Sequence, residues 1–138
     1  MSKTLNPVIL GPTEGRRYDM GPLQAVFKAD GAETAGRFSV SEWWLEPMYE
    51  GPGAHKHDHN EEIFYVMEGV ASVMFGTDWR QLPKGSVCVI PRGVMHDFRN
   101  EGRSRMGLLN IFVGAPFEEN MPMIVDWFRD NPARPIKP

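Results

Sequence analysis

An all-β sandwich or barrel is the fold class this chain predicts, and two features carry the prediction. Fourteen glycines and twelve prolines break the 138 residues into short segments, many of them rich in β-branched and aromatic side chains. No stretch before residue 119 sustains a 3.6-residue apolar period, so helices have no place in the body of the chain. A length of 138 residues suits one domain with one sizeable core.

The spacing predicts strands over Gln24–Lys28, Arg37–Leu45, Ile63–Met67, Val70–Phe75, Val87–Ile90, Asp97–Asn100 and Met106–Val113. Turn residues separate them at Asp30-Gly31, Gly76-Thr77-Asp78, Pro83-Lys84-Gly85 and Glu101-Gly102, which implies a succession of hairpins. One helix is expected, over about 119–130: Met121, Ile124, Val125 and Phe128 fall at i, i+3, i+4 and i+7, Asn120 is available as N-cap, and Pro122 fits the first turn. It ends before Asn131-Pro132, and the proline-dotted tail from Ala133 to Pro138 reads as extended.

Charge excludes several function classes. Formal net charge is −3 with no run of five or six like charges, so no electrostatic surface for nucleic acid or anionic lipid is expected. The pair Arg16-Arg17 and the arginines Arg99, Arg103 and Arg105 read as solvated surface. The start, MSKTLNPVIL, has neither a charged segment followed by an apolar core nor a small-residue cleavage site, and no later stretch approaches a membrane-spanning length; a cytoplasmic protein is the expectation. The single cysteine, Cys88, lies in the apolar run Val87–Ile90 and reads as a small buried hydrophobe.

The chemistry is concentrated in two segments that hold all four histidines: His55, His57 and His59 in HKHDHNEE, and His96 downstream. From Gly85 to Asn100 the chain reads Gly85, five residues, Pro91, one, Gly93, two, His96, three, Asn100. Two glycines can supply turn conformations closed to other residues, Pro91 fixes φ and ends a strand, and His96 then enters the barrel from the next strand. Five specified residues at fixed offsets arise by chance on the order of one time in ten thousand.

This segment resembles the second motif of the cupin family at every fixed position. The family's first motif, Gly-x5-His-x-His-x3 or x4-Glu-x6-Gly, is met less completely, and two registers are open. With His55 and His57 as the pair, four residues lead to Glu62 and six more to Gly69, but Tyr49 stands where the first glycine belongs. With His57 and His59, Gly51 falls into place, but only two residues precede Glu62. The first register is preferred, because the spacing from histidine to carboxylate governs which atoms converge on one ion, whereas the early glycine shapes a loop. Glu61 is the lesser candidate carboxylate, and His59 is expected at the surface or beside the ligands.

The resemblance covers about Val40 to Val113, with the 15 residues between Gly69 and Gly85 forming a spacing typical of compact members. It implies a double-stranded β-helix, or jelly-roll barrel, that holds one divalent transition metal ion (iron, manganese, nickel, zinc or copper) on His55, His57, Glu62 and His96. It further implies a metal-dependent enzyme acting on a small organic molecule, most simply a dioxygenase-type oxidoreductase. Non-redox isomerase, lyase or cyclase chemistry and a non-catalytic ligand-binding module are the alternatives. Family members commonly pair as homodimers, and apolar residues on both faces of Ile63–Met67 suggest a covered outer face, supplied by the helix or by a second copy.

Two expectations rest on strand parity and composition. In Arg37–Leu45 the apolar side runs Phe38, Val40, Trp44, which would carry Glu42 into the barrel as a general acid or base; a slip at Trp43-Trp44 would instead leave it in water. Trp43, Trp44, Met48, Phe64, Met74, Phe98 and Phe112 read as core, with a few lining a cavity.

Overall fold

The computed structural model describes residues 5–137, so the first four residues of the expected leaderless start, and Pro138 of the tail, lie outside the description. Ten strands run in the order β1 (Arg16–Met20), β2 (Leu23–Ala29), β3 (Phe38–Leu45), β4 (Tyr49–Glu50), β5 (Glu61–Glu68), β6 (Val70–Phe75), β7 (Asp78–Pro83), β8 (Val87–Ile90), β9 (His96–Asn100) and β10 (Met106–Val113). Two helices join them: a single turn, α1 (Gly31–Thr34), and α2 (Met121–Asp130), which a 3-10 turn over Glu118–Asn120 precedes.

The strands form two antiparallel sheets, a six-stranded one ordered β1-β2-β3-β10-β5-β8 and a four-stranded one ordered β4-β9-β6-β7. Facing each other, they make the jelly-roll barrel, and their inward side chains fill it: Leu23, Leu45, Phe64, Val66, Val73, Phe98, Leu108 and Phe112 are all buried. Tight turns follow from glycine. Gly21 (φ 78) and Gly76 (φ 63) occupy the first place of two-residue links between paired strands, where a side chain on Cβ would strain the backbone.

The expected strands all form, with ends shifted by one or two residues, and β6, β8 and β10 match to the residue. Three further strands appear. β1 and β7 carry mostly exposed polar side chains, so no apolar alternation marks them, and β4 is only two residues long. Asp30-Gly31, read as a turn, opens α1.

Helix α2 starts and ends close to expectation, with Met121 and Phe128 buried in the core and Ile124 and Val125 packed against it. Asn120 stands at the N-cap, yet its side chain caps no N–H among the described residues. The tail is extended and also paired: Glu50 N–H donates to Arg134 O at 2.8 Å and Ile136 N–H to Met48 O at 2.9 Å, which covers the free edge of β4.

The parity reading of β3 is corrected. Its buried residues are Ser39, Ser41, Trp43 and Leu45, so Phe38, Val40, Glu42 and Trp44 face outward. Glu42 accepts a hydrogen bond from its neighbour Trp44 Nε1 at 3.3 Å and takes no part in the barrel interior. Arg105 stacks over the Trp44 ring at 4.1 Å, which is how a tryptophan is accommodated on that side. Among the arginines read as free surface, Arg16 is instead ion-paired with Glu33 (2.7 Å) and Glu118 (2.8 Å).

Candidate metal centre

Local backbone rules bring the histidines together. Gly85 and Gly93 adopt φ of 93° and 78°, Pro91 follows the last residue of β8, and β9 then begins at His96 with its side chain buried. The loop before β5 is tied to this turn by backbone hydrogen bonds. His55 N–H donates to His96 O at 2.9 Å, His96 N–H returns to His55 O at 2.8 Å, and Gly93 N–H donates to His57 O at 2.9 Å. Asn60, at the loop's end, donates to Ala115 O at 3.1 Å and seats the start of β5.

One nitrogen or oxygen of each of His55, His57, Glu62 and His96 lies within 4.8 Å of the others. Nε2 of His57 and Nε2 of His96 lie 2.8 and 2.9 Å from Glu62 Oε1. Nδ1 of His96 donates to Val94 O at 2.9 Å and Nδ1 of His55 to Gly53 O at 2.6 Å, which leaves each Nε2 for the centre. Glu62 Oε2 accepts from Asn110 Nδ2 at 3.0 Å, so the carboxylate is steadied at its outer oxygen.

The electrostatics keep Glu62 ionised and disfavour a charge on His55, whereas they favour one on His96. Burial would raise the Glu62 carboxyl, but the hydrogen bonds from His57 and His96 outweigh it and bring the pKa down to about 2. Burial, with the neighbouring imidazoles, lowers His55. In His96 burial pulls the same way, and the Glu62 hydrogen bond overrides it and raises the pKa. Three imidazoles, two of them oriented at the far nitrogen, and one carboxylate held by Asn110 form a donor set suited to a divalent transition metal ion.

His59 and Glu61 are not in this cluster. His59 is exposed on the loop, and Glu61 is paired with Arg92 on the outer side of β5. The geometry therefore selects the first of the two histidine registers. Gly51, which the other register required, has a different task, because a Cβ there would stand 2.0 Å from Phe98 O.

Above the cluster lies a cavity of about 290 Å³. Trp43, Phe98, Phe112 and Phe117 line its barrel side, and Ile124, Trp127 and Phe128 of α2 cover it. Of the aromatic residues read as core, Trp43, Phe98 and Phe112 thus meet the cavity, whereas Phe64 is core alone. Phe117 lies parallel to Phe112 at 4.0 Å between ring centroids and edge-on to His57 at 5.6 Å. Asp30, at the end of β2, holds it there: Oδ1 accepts the backbone N–H of Phe117 (2.9 Å) and of Glu118 (3.0 Å). Sequence reasoning missed Asp30, Asn110 and Phe117. Asn110 alone carried a signal, as a polar residue amid the apolar run of β10.

A jelly-roll barrel with three histidines and one glutamate clustered at the floor of an apolar cavity defines the class. A family model for the cupin domain matches residues 42–112, and the chain belongs to the cupin family. It is 34% identical over 89 residues to germin-like protein 3-2 of Oryza sativa subsp. japonica; the match spans 58% of this chain and 37% of that protein. Among solved structures it resembles KdgF from Halomonas sp. (21% identity, TM-score 0.67, 83% of this chain and 97% of that one). It also resembles a protein from Thermotoga maritima predicted to be an oxalate decarboxylase (18% identity, TM-score 0.68, 78% and 98%). These likenesses show the fold. No described helix is long and apolar enough to cross a membrane.

Proposed function

We propose that the chain is a metal-dependent enzyme that oxidises a small organic molecule in the manner of a dioxygenase. The observation that supports this most is the convergence of His55, His57, Glu62 and His96 at the floor of an apolar cavity. Four protein donors on an ion that accepts five or six leave room for a small ligand, and such an ion, when bound, supplies oxygen activation or Lewis acidity.

The chain's own residues do the rest. Val94 O and Gly53 O orient two imidazoles, and Asn110 orients Glu62. Phe112, Phe117 and Phe128 exclude water from the space above them, which strengthens every polar interaction made there. The cavity of about 290 Å³ admits a molecule at the small end of ordinary ligands.

Elemental mass spectrometry on protein purified without chelators tests the reading. Near one equivalent of iron, manganese, nickel or copper, with oxygen uptake in a substrate screen, supports it. Zinc with turnover that needs no oxygen transfers the chain to the isomerase, lyase or cyclase class, and failure to bind any metal leaves a ligand-binding module.

We also propose a homodimer. Val87 and Val89 are 60% and 62% exposed on edge strand β8 and, with Tyr65 beside them at 42%, offer an apolar strip that a second copy would cover.

A further inference from the structure

The three imidazoles of the cluster are held in different ways. Nδ1 of His55 donates to Gly53 O and Nδ1 of His96 to Val94 O, which fixes both rings at the far nitrogen. His57 meets Glu62 through Nε2, and its Nδ1 has no such partner among the described residues. Packing fixes this ring instead. Phe112 and Phe117 stand edge-on to it, at 5.4 and 5.6 Å between centroids and with interplanar angles of 85° and 84°.

The two phenylalanines are not equally secure. Phe112 belongs to β10, which is paired with β3 on one side and β5 on the other. Phe117 belongs to no strand and lies in the connection between β10 and the 3-10 turn. Its backbone is fixed by Asp30, whose Oδ1 accepts the N–H of Phe117 at 2.9 Å and of Glu118 at 3.0 Å. Asp30 stands at the N-cap of α1, where an aspartate ordinarily caps its own helix, and no side-chain cap bond forms there. Glu118 is also tied through its side chain, to Arg16 at 2.8 Å and to Tyr18 Oη at 2.7 Å, so α2 keeps an anchor when Asp30 is removed.

We infer that Asp30 is a positioning residue of the metal centre: by accepting the Phe117 N–H it sets the ring against which the His57 imidazole is held. Asp30 is not one of the clustered donors, so its effect travels through Phe117. The inference rests on the proposed metal-dependent reading and goes beyond it. What the role requires at residue 30 is an acceptor oxygen, and a negative charge is not needed.

Titration of the full chain with cobalt(II) chloride, read by visible absorption and by competition with a chromophoric chelator, tests this. Asp30→Ala is expected to bind cobalt about tenfold more weakly than wild type, with an altered ligand-field spectrum, and Phe117→Ala to show the same loss and the same spectrum. The double variant should be no more than about threefold weaker than either single one, because both substitutions remove one path. Asp30→Asn keeps the acceptor oxygen and should stay within about threefold of wild type. An aspartate that only braced the fold would lower the melting temperature of Asp30→Ala and leave cobalt affinity and spectrum unchanged. That result, additive losses in the double variant, or an Asp30→Asn as weak as Asp30→Ala overturns the inference with the metal reading intact. A wild type that binds no cobalt overturns both. Should Asp30→Ala fail to fold, Asp30→Val takes its place, since a β-branched side chain suits the extended backbone at that residue (φ −145°) and offers no acceptor. Wild-type affinity in Phe117→Ala is by itself enough to sink the proposal.

Discussion

The two faces of the six-stranded sheet invert the usual expectation. The inner face of β3, β10 and β5 carries Ser39, Ser41, Asn110 and Glu62 among its apolar residues, and all four are buried. The outer face of the same strands reads Phe38, Val40, Trp44, Leu109, Ile111, Ile63 and Tyr65, broken by Glu42 and Glu61. Near the site, then, the outside is the more apolar side. Polar groups are tolerated inside because they are partnered, as Glu62 is with two imidazoles and an amide. Apolar groups are tolerated outside because something lies over them: Leu5, Val8 and Leu10 approach Phe38 and Val40, and Arg105 covers Trp44. The strip of Tyr65, Val87 and Val89 at the β5–β8 edge is left bare.

The contrast can be broken first at its inner side. His96→Ala should weaken metal binding by more than about a hundredfold, measured by competition with a chromophoric chelator. Conversely, wild-type protein held at metal concentrations about a hundred times the Kd should gain about 2.7 kcal/mol over the chelator-treated form in thermal melts. Adjacent tryptophans give the next largest effect. Trp43→Ala removes a buried ring and should cost about 3–5 kcal/mol in urea unfolding, whereas Trp44→Ala, losing a half-buried ring and one cation–π contact, should cost no more than about 1.5 kcal/mol. Equal losses would mean the two faces are equivalent after all.

A pH series sharpens the comparison on the other sheet, where outward Asp97 adjoins inward His96 on β9. Burial raises the Asp97 carboxyl to about 6 despite the N–H groups of Phe98 and Gly53 that it accepts. The folded state therefore binds this proton more tightly than the unfolded chain does, so the carboxylate destabilises the fold above about pH 6 and ceases to below about pH 4. Asp97→Asn should be more stable than wild type by on the order of 1 kcal/mol at about pH 7.5, and the advantage should vanish at about pH 4. On the bare outer strip, Val89→Lys should leave the monomer's stability within about 0.5 kcal/mol and convert a sedimenting dimer to monomer. The smallest effect belongs to Glu42→Gln: less than about 0.5 kcal/mol, with metal content unchanged. A loss of metal there would return Glu42 to the site.

Some of the site was legible because it depends on short-range backbone rules. Gly85 and Gly93 need positive φ, Pro91 ends a strand, and Asn100 closes a turn, all within one segment. The clustered histidines were legible through spacing, although His55 rather than His59 joins the cluster only through the paired backbone bonds of His55 and His96. Asp30 and Phe117 were not legible, since a carboxylate and the N–H it accepts stand 87 residues apart. Nor was Asn110, which meets Glu62 from 48 residues away. Strands β1 and β7 escaped because edge strands with wet side chains show no alternation.

By itself, the sequence determined most of the turns, the amphipathic helix α2, the all-β class and the residue types of the histidine–glutamate cluster, because each depends on the conformational limits and period of a few neighbouring residues. Only the tertiary structure decided which face of β3 turns inward, which amide holds Glu62, and that Phe117 covers the site. Those outcomes depend on what distant strands bring opposite one another, and a sheet that is apolar on both sides has no local signal to say which side is the core.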